Sequence, residues 1–294
     1  MNAIPLSIII ITYNNQDHIE ATLDSLPWKR LSPHLILIDN RSHDYTLRKV
    51  DAFKTAHPSC SITTKVNPCN LGYARAVNQG LHLARSEFLL LLGPDASLLP
   101  GAADLLIDYM KAHPDVGVVA PQLLDAQGNV APSCRRFPTV RDLLLELSAL
   151  PRLFPRRFRP PWKMPDFDHR SPREVDQPEA SCLLIRKSVI RDVGGFDIRF
   201  PIFFNDVDWC RRVREKGWKI VFLPDARAVH AGGGSVKQSP IPMIWKSHQG
   251  FYRYFSKVRR SPAQRAANQL LGLLLIIIAS YRSGLVLLRK GHAR

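Results

Sequence analysis

The sequence predicts an α/β fold with a mostly parallel central sheet, followed by a basic, apolar helical tail. Three observations predict it. Apolar runs alternate with helical patterns through the first 120 residues, a polar cluster ends each run, and positive charge collects around a greasy stretch near the C-terminus.

The alternation begins with the apolar run Ser7–Ile11 and the helical pattern His18–Leu26. It repeats as Leu35–Ile38 with Tyr45–Ala56, Ile62–Val66 with Tyr73–Ala84, and Phe88–Leu92 with Ala102–Ala112, then closes on Val116–Ala120. Strand and helix in strict turn imply parallel pairing. Unbroken runs such as Ile8-Ile9-Ile10-Ile11 suit strands covered by helices on both faces. In such sheets ligands gather at the C-terminal strand ends. Here those ends read Thr12-Tyr13-Asn14-Asn15, Asp39-Asn40-Arg41-Ser42, Asn67–Gly72 and Gly93-Pro94-Asp95. One alone is ordinary turn chemistry; four in succession face one crevice.

Residues 139–178 break the rhythm with a leucine-rich stretch and then prolines among arginines, which predicts a partly ordered loop or lid. It either touches a membrane or acceptor or is a plain surface excursion. Order resumes with Ala180–Arg186, Val193–Asp197 and the segment Phe203–Cys210, whose helix ends near Gly217. The strand Trp218–Leu223 follows, then Ala228-Val229-His230.

The charge is uneven. The net charge is +16, and from Ala226 onward there are twelve Lys and Arg and no Asp or Glu, so three-quarters of it lies there. It borders Leu270–Ala279 and Gly284–Leu288 instead of interleaving with aromatics on a folded surface, which excludes nucleic acid as the expected partner. An uninterrupted run of ten is short of the roughly 20 residues of a span, and Arg282 would fall inside any longer helix, so in-plane or re-entrant insertion is favoured. Arg253, Lys257, Arg259, Arg260, Arg265, Arg289, Lys290 and Arg294 would then meet an anionic membrane surface. The alternative is a buried amphipathic C-terminal helix. Five cysteines without Cys-x-x-Cys pairing and no visible secretory signal fit a reducing compartment. The expected location is the cytoplasmic face of the inner (plasma) membrane, peripheral or monotopic.

The ordered motifs Ser7–Asn14, Asp39-Asn40, Asn70–Ala74 with Asn78 and Gly80, Pro94-Asp95-Ala96, Gly194–Asp197, Asp206-Val207-Asp208 and Val229-His230 resemble the inverting family 2 glycosyltransferases of the GT-A fold, in particular their rhamnosyltransferase-like branch. The resemblance covers roughly Leu6 to Ser235. It implies a GT-A domain over 1–238, with a nucleotide-binding half (1–120) and an acceptor and catalytic half (121–238), and a membrane-associating helical tail over 239–294. It also implies transfer of a sugar from a pyrimidine nucleoside diphosphate sugar, dTDP-rhamnose or a UDP-sugar, to a lipid-linked or polysaccharide acceptor in cell-envelope glycan synthesis.

Displacement at an anomeric carbon releases a multiply charged diphosphate, which a divalent cation, Mg2+ or Mn2+, normally screens. By resemblance, Asp95 and His230 are its candidates; otherwise Asp95 caps the helix after Pro100 and His230 is structural. The acceptor hydroxyl must lose a proton to a carboxylate. Asp206 matches the family's base and Asp208 supports it, two such carboxylates tending to raise one pKa; the plain alternative makes both helix-start residues. For the donor, resemblance places Thr12, Tyr13 and Asn14 near base and ribose, Asp39 on the pyrimidine or ribose, and Asn70 and Gly72 in the neighbouring turn. Helix capping and turn-making also account for Asn70 and Gly72, and helix packing for Asn78. Gly232-Gly233-Gly234 would form a mobile loop over the phosphates or an idle linker.

Two positions depart from the family pattern. Gly93 stands where Asp or Asn is usual, and Asn205 where Glu commonly precedes the base. Two rival readings remain: a nucleotidyltransferase, which needs a glycine-rich phosphate loop that Thr12–Asn15 does not supply, and a catalytically inactive membrane scaffold of the same fold.

Overall fold

The computed structural model describes residues 6–148, 150–154, 157–231, 240–259 and 261–291. The glycine run 232–234, Arg260, Arg294 and the side chains of Arg289 and Lys290 lie outside the described residues.

The first half follows the alternation. Strands β1 (Leu6–Thr12), β2 (His34–Asp39), β3 (Ser61–Val66) and β4 (Phe88–Leu92) form the parallel run β3-β2-β1-β4. Helices α1 (Ile19–Asp24), α2 (Trp28–Leu31), α3 (Thr46–Ala56) and α4 (Tyr73–Leu83) connect them. The run of isoleucines in β1 hides a two-residue period. Ile8 and Ile10 join one core layer with Leu35, Leu37, Leu90 and Leu92, and Ile9 and Ile11 join the other with Ile36, Ile38, Leu89 and Leu91. Each such side chain contributes about 1.5–3 kcal/mol on burial. In α4, Gly80 lets the helix lie close on β1: a Cβ there would sit 2.4 Å from Ile9 Cγ2.

Beyond β4 the sheet becomes mixed. After β5 (Ala96–Leu98) and α5 (Ala102–Ala112), β6 (Val116–Leu124) does not pair with β4. Instead β11 (Cys182–Arg186) enters between them, antiparallel to both. Antiparallel order arises because this strand returns from a long excursion and not from a single crossover helix. The excursion holds β7 (Val130–Ala131), β8 (Cys134–Arg135), α6 (Val140–Leu147), α7 (Leu150–Leu153), β9 (Arg173–Glu174) and β10 (Gln177–Pro178). The expected loop therefore contains a capped helix: Thr139 accepts from the Asp142 N–H while Asp142 accepts from the Thr139 N–H, and Leu143 is buried.

Helices α8 (Lys187–Val193) and α9 (Asn205–Glu215) lead to β12 (Lys219–His230). The two strands expected from Trp218 to His230 are one, parallel to β6, with its register shifting between Leu223 and Arg227. Pro224 lies in that shift, where a missing N–H costs no ladder bond. The far end of β12 then pairs with β5, placing His230 opposite Ala96.

The tail is a helical hairpin of α10 (Pro240–Val258) and α11 (Pro262–Gly291). Tyr254 and Phe255 of α10 and Leu271 and Leu275 of α11 share a third core with Leu143, Phe200, Phe204 and Val207. The hairpin thus sits on the start of α9. Helix α11 runs unbroken through Ser280–Ser283, so the limit set by a ten-residue apolar run falls away. Its stretch Pro262–Leu288 is long and apolar enough, by length and composition, to cross a membrane. Asn268, Leu271, Leu275, Ala279 and Ser283 form a buried stripe at helical spacing. On the opposite face Leu270, Ile277 and Tyr281 are between 65 and 70 % exposed.

Such a face predicts membrane binding. The protein should co-sediment with vesicles containing anionic lipid, and Leu270→Glu with Ile277→Glu should release it without lowering the thermal midpoint. Full retention of that double variant on vesicles would contradict insertion of this face.

Candidate active site

The ends of β1 and β2 are knotted together by one carboxylate. Asp39 is fully buried, and its Oδ1 accepts from Thr12 Oγ1 at 2.8 Å and Ser42 Oγ at 2.6 Å while Oδ2 accepts from the Ser42 N–H at 2.8 Å. Asn14, left-handed at φ 56°, donates its N–H to Ser42 Oγ and accepts at Oδ1 from the His43 N–H. Thr12, Asn14 and Asp39 are thus brought together, with Tyr13 exposed beside them. Ser42, which joins the ends of β1 and β2, received no role from the sequence although it lies in the strand-end cluster.

The next turn is built for close approach. Asn70 Oδ1 accepts from the Gly72 N–H, and Gly72 takes φ +82° with Pro201 Cβ 3.2 Å from where its own Cβ would be. The Tyr73 N–H donates to Pro201 O at 2.9 Å, so this turn holds the loop that enters α9. Asn78 clamps the same region: Nδ2 donates to Phe196 O and Oδ1 accepts from the Phe196 N–H. A Cβ on Gly195 would fall 2.3 Å from Asn78 Oδ1, which explains a glycine there.

Asp95 and His230 meet across β5 and β12. Their Oδ1 and Nε2 atoms are 3.4 Å apart, with side chains 19 and 16 % exposed. Burial opposes ionisation of Asp95, but the contact with His230 outweighs it and holds the carboxyl below its ordinary pKa. Burial likewise opposes charging of His230, and Asp95 with Glu179 outweighs it, raising the imidazole. Among the described residues no three His, Cys, Asp or Glu side chains converge as a metal cage. A carboxylate oxygen and an imidazole nitrogen side by side fit a cation that takes its remaining ligands from a diphosphate. Gly93 belongs to this geometry, since a Cβ there would press to 3.1 Å from Asp95 Oδ1.

Asp206 stands in the first turn of α9. Its Oδ2 accepts from Gln177 Nε2 at 3.3 Å and its Oδ1 from the Val207 N–H at 2.8 Å. Burial, with the charge of Glu179 nearby, pushes its pKa up to about 6. The same surroundings raise the Tyr73 phenol, first by burial and then through the charges of Asp206, Asp95 and Glu179. Those three carboxylates therefore face one space around Tyr73, whose hydroxyl donates to Ala180 O at 3.3 Å.

Asp208 does not join them. Two residues along a helix is a turn of about 200°, so the pair points to opposite sides. Asp208 has a side-chain exposure of 3 % and is held by Arg212 Nε at 2.9 Å and Lys257 Nζ at 2.6 Å. The like charge that helps to raise Asp206 is Glu179. Arg212 also donates to the carbonyls of Val193 and Gly195, and Lys257 reaches Asp197 at 2.9 Å. Asp197 is pulled well below the usual carboxylate range, chiefly by Arg199 and then by Lys257 against the cost of burial. Lys257, expected to meet lipid, is thus spent inside the protein. Gln177, Glu179 and Lys257 carried no sequence signal for the site, being brought to α9 by chain reversals, whereas Arg212 lies on α9 itself, four residues after Asp208.

Asn205, where a Glu is common, is 3 % exposed and donates Nδ2 to Ile202 O at 2.7 Å. It therefore closes the turn that starts α9.

A model of glycosyl transferase family 2 matches residues 7–193. An N-acetylglucosaminyl-diphospho-decaprenol L-rhamnosyltransferase of Mycobacterium tuberculosis is 29 % identical over 266 residues, spanning 85 % of this chain and 84 % of the relative. A pre-mycofactocin glycosyltransferase of the same organism is 26 % identical across 84 % of this chain and 46 % of its own length. Two solved structures share the fold. Mannosyltransferase PcManGT of Pyrobaculum calidifontis, in complex with GDP-Man and Mn2+, superposes with TM-score 0.59 at 18 % identity, covering 98 % of this chain and 79 % of that one. S. aureus TarS 1–349 in complex with UDP-GlcNAc gives 0.57 at 15 % identity, covering 92 and 71 %. With the family's pattern extending over more than half of its length and its GT-A architecture in place, the chain belongs to glycosyltransferase family 2.

Proposed function

We propose that the protein is an inverting glycosyltransferase that moves a sugar from a pyrimidine nucleoside diphosphate sugar to a lipid-linked acceptor in cell-envelope glycan synthesis, with Asp206 as the base. The observation that carries the proposal is the position of Asp206: a half-buried carboxylate with a pKa near 6, at the crevice where the strand ends meet. A base needs to be ionised at neutral pH yet basic enough to take a proton, and about 6 satisfies both.

In this reading the acceptor hydroxyl oxygen attacks the anomeric carbon, its proton passes to Asp206, and the bond from that carbon to the diphosphate oxygen breaks. A single attack from the opposite face inverts the centre. Thr12, Tyr13, Asn14 and Asp39 form the nucleoside cradle, which Asn70 and Gly72 hold against the α9 loop. Because the Asp39 carboxylate is already occupied by Thr12 and Ser42, it acts chiefly by shaping that cradle. Asp95 and His230 would hold Mg2+ or Mn2+, which when bound screens the charge of the departing diphosphate. Asp208 acts as a positioning residue, because its pairs with Arg212 and Lys257 fix the rotation of α9.

The rhamnosyltransferase relative, named for a decaprenol-linked acceptor, supports dTDP-rhamnose as the first donor to test, a UDP-sugar being the second. Its lipid-linked acceptor also supports work at a membrane, where the apolar face of α11 would hold the enzyme, and we place it at the cytoplasmic face of the plasma membrane.

Asp206→Asn should lower transfer about 1,000-fold, the middle of the usual range of general-base contributions, while the dissociation constant for donor nucleotide stays within about twofold. Wild-type-like turnover would refute the assignment. The pH profile carries the second expectation. A base with pKa near 6 is ionised above that value, so the transfer rate should be flat around pH 7.5 and fall about tenfold per unit below pH 6. An acidic limb that breaks near the ordinary carboxylate value of about 4 instead would contradict it.

A further inference from the structure

We propose that Glu179 holds the His230 ring with its Nε2 atom toward the cation beside Asp95, which makes Glu179 a positioning residue of the metal site. The ring lies between two carboxylates. Its Nε2 is 3.4 Å from Asp95 Oδ1, and its Nδ1 is 3.8 Å from Glu179 Oε1, the distance of an ion pair and not of a hydrogen bond. An imidazole that ligates a cation through Nε2 is neutral and keeps its single proton on Nδ1. The His230 side chain is only 16 % exposed, so that N–H needs an acceptor within the site, a buried donor left unpaired being costly. The acceptor it faces is Glu179.

Glu179 is itself held, through a residue that also touches the Asp95 loop. Ser181, just before β11, donates its Oγ to Glu179 Oε1 at 2.9 Å, and its carbonyl accepts from the Gly93 N–H at 2.8 Å. Gly93 stands two residues before Asp95, so the orienting carboxylate and the ligating one are referred to the same backbone contact. The Glu179 N–H donates to Ser133 O at 2.9 Å, which fixes its backbone from the side of the long excursion. Next to His230, the Ala231 N–H donates to Asp95 O at 3.0 Å. The β4–β5 turn, the approach to β11 and the end of β12 thus converge on one imidazole.

The competing use of this carboxylate is direct ligation. Glu179 faces Nδ1 while Asp95 faces Nε2, and its side chain is 47 % exposed, which favours the supporting role. A carboxylate behind a ligating histidine fixes the ring and makes it a better donor. The proposal rests on Asp95 and His230 as the cation's ligands and is independent of Asp206 as the base.

The test titrates Mn2+ into the full-length protein with dTDP present and, in a second series, UDP. The enhancement of water-proton relaxation separates Mn2+ on the protein from Mn2+ on free nucleotide and needs no turnover. Glu179→Ala should weaken Mn2+ binding about 10–100-fold. Glu179→Gln, which keeps an oxygen toward Nδ1, should recover it to within about fivefold of the wild type. Ser181→Ala should weaken it about threefold, the loss of one exposed hydrogen bond. Equal weakening by Gln and Ala would make Glu179 a ligand or a bare charge, and undiminished binding in Glu179→Ala would leave it no role; either result overturns the proposal. If Glu179→Ala does not fold, wild-type binding in both Glu179→Gln and Ser181→Ala supports the positioning role only if Glu179→Leu loses it, and tight binding in Glu179→Leu contradicts it. A wild type that binds no Mn2+ with either nucleotide would overturn this proposal together with the metal assignment, while Asp206→Asn still tests the base.

Discussion

Two carboxylates and two cations from distant parts of the chain meet beside the first turns of α9. Asp208 and Arg212 come from that helix, Asp197 from the loop before it, and Lys257 from the tail hairpin. Burying a carboxylate as deeply as Asp208 costs several kcal/mol unless it is paired, and removing one partner of such a pair costs about 3–5 kcal/mol. The cluster therefore resists rotation of α9 about its axis. With Asp208 pinned to the protein side, helix geometry turns Asp206 to the other side, into the crevice. The same cluster ties the Val193 and Gly195 carbonyls and α10 to that orientation.

The crevice holds the opposite arrangement. Asp206, Glu179 and Asp95 share one space around Tyr73, where His230 lies beside Asp95 and Glu179. Like charges gathered in a half-buried site raise the most buried member and favour a bound cation. Pairing on one face of α9 and crowding on the other give two carboxylates two residues apart different chemistry. One becomes structural and the other becomes basic.

The architecture of the first half was legible because each element announces itself locally. The β1 isoleucines, the helical pattern Ala102–Ala112 and the polar strand ends all appear where expected. The insertion of β11 between β4 and β6 was not legible, since antiparallel return depends on a long excursion whose path no local pattern records. Within that excursion Thr139 and Asp142 were a readable capping signal inside a stretch that reads as loop. At the site, motif order pointed to Asp95, His230 and Asp206, but spacing alone could not separate Asp206 from Asp208. That distinction needs Lys257, which is 49 residues away along the chain and reads as one more basic residue of the tail.

The tail thus has two faces with two jobs. Its inner face completes the support of α9 through Lys257, Tyr254 and Phe255, and its outer face exposes Leu270, Ile277 and Tyr281. The account stands or falls on a single displacement assisted by one carboxylate. The most direct measurement is the anomeric configuration of the product, read by proton NMR after transfer from any accepted nucleotide sugar. Inversion relative to the donor is the predicted result; a retained configuration would contradict it.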